Sequence, residues 1–241
     1  MEFDDAERCV VRGGRVVRDG CRRGRRLRAA GGWRFEHGRD GRPKDPALNG
    51  QLKAHPSQYY TVFTDLGEDD TQEAILRMTK MAEAYHDRTK GLFRGSISGK
   101  LPFYLYAKPA DYYKAGGMAG TAGVFDGKEL MGMAIRDKDG RIDAETWHVV
   151  QHEGFHQYVD MVIRGQIPTW VNEGLAEYFG ESIYTGDGTV TGVVPQKRLE
   201  RVKKAMSSPG FKGLKDIMEM SHEEWNSALA PNPVNQARGA R

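Results

Sequence analysis

The 241-residue chain has little cysteine and no long apolar run. Its two cysteines, Cys9 and Cys21, cannot form a disulfide scaffold, and neither belongs to a CxxC pair. No stretch approaches the roughly 18 uninterrupted apolar residues that a membrane-spanning helix needs. The N-terminal residues begin with acids and contain no apolar core of a secretory signal. The sequence as given therefore predicts a protein without a membrane span that is cytoplasmic by default, and it excludes a disulfide-stapled mini-domain.

Positive charge is concentrated at the N-terminus. Residues 1–45 contain 13 Lys and Arg against 8 Asp and Glu, and twelve of these cations are arginine. Arginine interleaved with glycine suits a nucleic-acid-binding arm, but the arginine-rich stretch contains only Trp33 and Phe35 for stacking on bases. We therefore predict residues 1–45 to be a disordered arm rather than a nucleic-acid binder. The polar, proline-broken residues 230–241 predict a disordered tail.

Regular patterns begin near Tyr59 and predict an α+β domain over residues 57–229. Strands are predicted where aromatic and β-branched residues cluster, and helices where apolar residues recur at helical spacing. The glycine-rich run 115–123 lacks the ending of a phosphate-binding loop and predicts a flexible loop. The predicted strands are 57–66, 101–107 and 129–136, and the predicted helices are 71–93, a short helix from Pro109, 146–163 with Asp143 as its N-cap, and 168–180.

The helix predicted over 146–163 carries an HExxH motif, His152-Glu153-Gly154-Phe155-His156. Residues four apart lie on one helix face, so His152 and His156 can bind one ion, and Glu153 can reach a water at that ion. Zn²⁺ suits this motif because a catalytic zinc site takes three protein ligands and leaves one position open. His148 lies four residues before His152, so the HxxxH spacing alone leaves the histidine pair ambiguous.

The next predicted helix supplies carboxylates for the same site. Glu173 follows His156 by 17 residues, which allows a turn and an antiparallel return, so Glu173 is the expected third zinc ligand. Glu177 lies one helical turn later, and its carboxylate could accept the free ring N–H of a ligating histidine. Without the HExxH motif, both glutamates would be ordinary exposed acids.

The segments HEGFH and NEGLAEYF resemble the gluzincin clan of zinc metallopeptidases. More closely, the stretch from about Tyr59 to Trp225 resembles a bacterial domain-of-unknown-function family classed as peptidase-MA-like. The resemblance implies a zincin-like fold, in which a small mixed or antiparallel sheet packs on the HExxH helix and a mostly helical part follows. It also implies that His152, His156 and Glu173 are the zinc ligands and that Glu153 is the catalytic glutamate. Glu177 matches the position of an acid that contacts a zinc ligand and not the ion itself.

The function expected from these residues is zinc-dependent hydrolysis of peptide bonds in a peptide or protein substrate. Glu153 would act as the general base. By analogy with zincins, the strand 129–136 would line the cleft and pair with the substrate. The group that stabilises the oxyanion is left open among Tyr178, Tyr184 and His222. Two alternatives also stay open: a zinc-binding but inactive module that binds peptides or surfaces, and a nucleic-acid binder acting through the arm.

Overall fold

The computed structural model describes residues 51–93, 95–118, 120–163 and 167–229. The predicted arm, 1–45, and the predicted tail, 230–241, lie outside these residues. Within them the fold is mixed α+β, with seven α-helices and a mixed five-stranded sheet, so the predicted fold class is confirmed at this level. None of the described helices has both the length and the apolar composition needed to cross a membrane.

The main sheet has the strand order β1-β2-β3-β5-β4. Its central strands β2, β3 and β5 are parallel, and β1 and β4 pair antiparallel on the two edges. The strands are β1 (Lys53–Pro56), β2 (Tyr60–Thr64), β3 (Leu101–Tyr106), β4 (Gly123–Phe125) and β5 (Leu130–Met133). Regular structure therefore begins before Tyr59, because β1 precedes the predicted start.

One of the sequence predictions about strands was wrong. The segment 129–136 yields β5, an interior strand between β3 and β4, so it does not offer a free edge to a substrate. The free edge on that side is β4, which begins at Gly123, the last residue of the glycine-rich run; the described residues 116–118 and 120–122 of that run lie outside helices and strands, in agreement with the predicted loop. Strand β4 itself was not predicted, because it has only three residues and its conformation depends on pairing with β5.

Helices cover both faces of the sheet. The helices next to the sheet are α1 (Glu68–Thr89), α2 (Pro109–Ala115) and α3 (Ala144–Tyr158), which continues as a π-helical turn over Val159–Ile163. Side chains alternate along β3, so Phe103 and Leu105 pack in the core with α1 and α3, whereas Tyr104 and Tyr106 pack in the core with α2. Three layers result, with α3 beside the β4 edge.

The remaining helices follow α3 in the sequence. They are α4 (Thr169–Gly180), α5 (Gln196–Met206), α6 (Leu214–Glu219) and α7 (His222–Leu229), and a two-stranded ribbon of β6 (Ile183–Tyr184) and β7 (Thr189–Val190) separates α4 from α5. Neither α5 nor α6 contains a buried residue. The core of this part of the chain is therefore supplied by α4, which packs on α3.

An aromatic cluster fixes α3 against α4. The rings of Phe155 and Phe179 stack with centroids 5.0 Å apart, and Tyr85 of α1 meets the edge of Phe179 at 4.8 Å. The hydroxyl of Tyr85 donates a 2.5 Å hydrogen bond to the carbonyl oxygen of Gln151. A Cβ at Gly154 would lie 3.0 Å from the same hydroxyl oxygen, so glycine there lets α3 approach α1 closely. This packing sets which face of α3 meets α4.

Candidate metal centre

The local sequence explains where α3 begins and which face carries the histidines. Asp143 caps the helix as predicted, with its Oδ1 accepting a 2.7 Å hydrogen bond from the amide of Thr146. Phe155 and Tyr158 pack in the aromatic core, and His152 and His156 lie next to that core on a partly exposed side, with 16% of each side chain exposed. That side faces α4.

Helices α3 and α4 are antiparallel, so their four-residue repeats of histidine and glutamate meet in order. His156 lies opposite Glu173, and His148 lies opposite Glu177 and Glu181. Two groups of candidate ligands result, in each of which the nitrogen and oxygen atoms lie within 4.8 Å of one another. We define the first group as His152, His156 and Glu173, and the second group as His148, Glu177 and Glu181.

The donor atoms of the first group are spaced as a zinc ion requires. The Nε2 atoms of His152 and His156 are 3.2 Å apart. The two carboxylate oxygens of Glu173 lie 3.5 Å from Nε2 of His152 and 3.7 Å from Nε2 of His156. Ligands about 2.0–2.1 Å from a tetrahedral zinc ion would be about 3.3–3.4 Å apart. Two imidazoles and one carboxylate are also the donor set of a hydrolytic zinc site, so the residues present fit the ion.

Ring partners behind the first group orient its histidines. Nδ1 of His156 lies 3.2 Å from Oδ1 of Asn172, and Nδ1 of His152 lies 3.6 Å from Oε1 of Glu177. An N–H on each Nδ1 would leave Nε2 free to bind a metal. The sequence prediction placed Glu177 in such a role, and the structure brings it next to His152. The sequence prediction did not include Asn172, which directly precedes Glu173 in the NEG tripeptide.

The electrostatic environment of the first group favours the ionised carboxylate of Glu173, which is the form that binds a metal. Burial raises the pKa of this carboxyl, but hydrogen bonding and attraction from the two imidazoles outweigh burial and lower the pKa to about 2. For His156, burial lowers the pKa, and the carboxylate of Glu173 more than compensates, so that the pKa is raised. Glu173 is therefore an anion throughout the neutral range, as a metal ligand must be.

Glu153 does not belong to the first group but lies at its border. Its Oε2 accepts a 2.9 Å hydrogen bond from the amide of Phe125 in the edge strand β4. Burial raises the pKa of Glu153, and attraction to the two histidines opposes that shift. Glu153 is thus held between the metal group and the strand that borders the cleft.

An open cleft of about 550 Å³ lies between the β4 edge and α3. It reaches His152 and Glu153 of the HExxH motif and extends past His148 towards the first turn of α3. The rest of its walls combine small and apolar residues with one tyrosine and two carboxylates. These residues are Tyr113, Gly120, Thr121, Ala122, Gly123, Met133, Ile135, Glu145, Val149 and Glu177. A cleft of this size can hold several residues of an extended peptide.

The three residues considered for oxyanion stabilisation are engaged elsewhere. The Tyr178 hydroxyl donates to Oγ1 of Thr191 at 2.9 Å, and that of Tyr184 donates to the carbonyl of Gly186 at 2.5 Å. His222 contacts Thr169. In the described part of the chain none of the three lines the cleft, and the tyrosine that does is Tyr113. No sequence pattern pointed to Tyr113, because it lies upstream of the metal helix on α2.

The second group is held together by a cation from α5. Arg198 pairs with Glu177 at 2.8 Å and also with Glu181, and its guanidinium lies 3.4 Å from Nε2 of His148. Both groups therefore lie between α3 and α4, but only in the second group are the carboxylates paired with an arginine, Arg198.

Comparison with known proteins adds no family to this geometry. The chain matches no protein-family model, and no curated protein matches it. The resemblance to gluzincins consequently stands on the motif residues and stays a prediction.

Proposed function

We propose that the protein is a zinc-dependent metallopeptidase of the gluzincin type, with a zincin-like arrangement of sheet and metal helix. The observation that carries the proposal is the convergence of three donor side chains, His152, His156 and Glu173, at zinc-like separations of 3.2–3.7 Å. The adjacent Glu153 borders an open cleft next to an edge strand. Ligands, a base and a substrate channel are thus found together.

The first group would hold the zinc ion. When bound, zinc would supply an activated water and polarise the carbonyl of the scissile bond. Asn172 and Glu177 would keep the two imidazole rings in the orientation that presents Nε2 to the ion. The chain therefore contributes both the ligands and the groups that fix their orientation.

Glu153 would be the general acid–base group. It takes a proton from the attacking water while the new C–O bond forms, and it then delivers that proton to the amide nitrogen as the C–N bond breaks. The hydrogen bond from the Phe125 amide holds one carboxylate oxygen, Oε2, and leaves the other, Oε1, for this proton transfer. A general base of this kind contributes on the order of 10²–10⁴-fold to the rate.

The edge strand β4 would bind the substrate backbone. The amide of Met133 donates to the carbonyl of Ala122, and the amide of Asp126 donates to the carbonyl of Glu129, so these β4-flanking residues face β5. Gly123 and Phe125 alternate with them and direct their backbone groups away from β5, and of these groups the Phe125 amide is already bonded to Glu153. An extended peptide in the cleft could pair with this edge, which is a common mode of peptide recognition.

The test is proteolysis of a mixed peptide library, with cleavage products identified by mass spectrometry. We expect cleavage by protein that contains zinc, loss of cleavage after removal of the metal by a chelator, and recovery when zinc is added back. Zinc binding without cleavage of any peptide would favour the inactive zinc-binding module. Cleavage that persists in the metal-free protein would refute the metallopeptidase.

A further inference from the structure

We propose that Arg198 is a positioning residue for the metal centre. It fixes the carboxylate of Glu177, which in turn orients the zinc ligand His152, and so it couples the affinity for zinc to the placement of α5. This inference rests on the zinc site proposed above. No motif in the sequence marks Arg198, which stands in a run of similar cations, QKRLERVKK.

The contacts of Arg198 define the geometry of Glu177. The Arg198 guanidinium binds Oε2 of Glu177 at 2.8 Å, and the other carboxylate oxygen, Oε1, then lies 3.6 Å from Nδ1 of His152. Arg198 Nε pairs at the same time with Oε1 of Glu181. Because a guanidinium is planar and presents its N–H groups in a fixed fork, contacts to two carboxylates restrain it more than a single ion pair would.

This restraint matters because Glu177 is otherwise weakly held. Its side chain is 41% exposed on the surface of α4, although Oε2 next to Arg198 is buried, and a glutamate with this exposure normally samples several rotamers. Without Arg198, pairing with His152 would cost the side-chain conformational entropy of Glu177. By holding Oε2, Arg198 keeps the carboxylate beside His152 before any metal binds, which is the general advantage of a preorganised site.

Arg198 also explains why we assign the zinc ion to the first group and not to the second. In the second group the imidazole of His148 lies between the two carboxylates, with Nδ1 3.6 Å from Glu181 and Nε2 3.8 Å from Glu177. The Oε2 of Glu177 that lies near Nε2 of His148 is the same atom that pairs with Arg198. The guanidinium already supplies the positive charge between these glutamates. The second group therefore has the Arg198 guanidinium in the place of a metal ion, and through Glu177 it orients His152 of the first group.

A purely structural role for Arg198, such as anchoring α5, has to be distinguished from positioning. Arg201 is a suitable control because it lies on the same helix, is exposed, and pairs with no acid among the described residues. Arg198→Gln and Arg201→Gln remove the same charge and keep part of the side-chain stem. Glu177→Gln removes the carboxylate through which Arg198 is proposed to act.

The experiment is a double-mutant cycle on the full chain, with the zinc dissociation constant measured by competition with a chromophoric chelator. Changes to groups behind metal ligands typically weaken affinity by about 10–100-fold. We expect Arg198→Gln and Glu177→Gln each to weaken zinc binding about 10-fold, and Arg201→Gln to change it less than 2-fold, by the same principle applied to a residue without such a contact. Adding Arg198→Gln to the Glu177→Gln protein should weaken binding no further, because the two residues act as one unit.

Three outcomes would overturn this inference. The first is an unchanged zinc affinity in Arg198→Gln, and the second is an equal loss with and without Glu177. The third is a thermal unfolding midpoint of the zinc-free Arg198→Gln protein far below that of Arg201→Gln, which would assign Arg198 to the fold instead. This experiment measures zinc affinity and does not measure peptide cleavage. Normal zinc binding without cleavage would therefore refute only the peptidase, whereas a parent protein that takes up no zinc would refute both proposals.

Discussion

The first and second groups arise from one sequence pattern yet form two different sites. Histidines at 148, 152 and 156 and glutamates at 173, 177 and 181 repeat every four residues on antiparallel helices, so the pattern generates ligand-like groups at successive turns. In the second group the cation is Arg198. In the described part of the chain no Lys or Arg pairs with the first group, whose donor atoms face one another across 3.2–3.7 Å. Spacing therefore creates candidate sites, and the neighbouring charges decide which of them suits a metal.

The largest expected effect comes from exchanging one histidine in each group. His152→Gln should weaken zinc binding more than 100-fold, since loss of a ligand exceeds the roughly 10–100-fold typical of groups behind the ligands. His148→Gln should weaken it by about 10-fold at most, because His148 contacts Glu177, Glu181 and Arg198 and not the proposed ligand atoms. Chelator competition under one buffer condition measures both. The reverse order would assign the metal to the second group.

The next effect is on turnover rather than on binding. Glu153→Gln should lower the rate of peptide cleavage by about 10²-fold or more, with zinc affinity nearly unchanged, because Glu153 transfers protons and binds no metal. Glu145→Gln is the matched control, since Glu145 is an exposed acid on the same helix that also lines the cleft. Equal activity of both variants would remove Glu153 from the mechanism.

A smaller effect concerns the packing behind the first group. Tyr85→Phe removes the buried hydroxyl that donates to the carbonyl of Gln151 and should lower the free energy of unfolding by about 1 kcal/mol. Denaturant titration of the zinc-free protein measures this change. The zinc dissociation constant should change less than about 2-fold, because the carbonyl keeps its place in the helix and the histidine face is not touched. A large loss of zinc would show that this hydrogen bond orients the ligands.

The smallest expected effect is that of Glu181→Gln. Arg198 still binds Glu177 in this variant, and a partly exposed ion pair contributes about 0–1 kcal/mol to stability. Zinc affinity should therefore stay within about 3-fold of that of the parent, well below the loss typical of groups directly behind a ligand. A loss as large as that of Glu177→Gln would mean that Glu181, and not Glu177, carries the effect of Arg198 to the metal centre.

The sequence is informative about the metal helix and its partner because both depend on local spacing. Four-residue repeats place side chains on one helix face whatever the rest of the fold does. The Asp143 cap follows from equally local chemistry, and the structure confirms it. His148, which made the HxxxH spacing ambiguous, groups in the structure with Glu177 and Glu181 and not with Glu173.

Features that depend on distant pairing could not be read in this way. Strand β4 has only three residues, Gly123–Phe125, and its conformation depends on pairing with β5. Arg198 is one of several cations on α5, and only the orientation of that helix distinguishes it from Arg201. Asn172 adjoins a predicted ligand, but its role depends on the rotation of α4 relative to α3.

The most direct test of the central claim is to locate the metal by anomalous diffraction at the zinc edge in crystals of protein purified without chelator. The account predicts one zinc ion per chain, about 2.0–2.1 Å from Nε2 of His152 and of His156 and in contact with the carboxylate of Glu173. Arg198 should remain between Glu177 and Glu181. A zinc ion bound at the second group instead, or crystals soaked in zinc that show no ion at the first group, would contradict it.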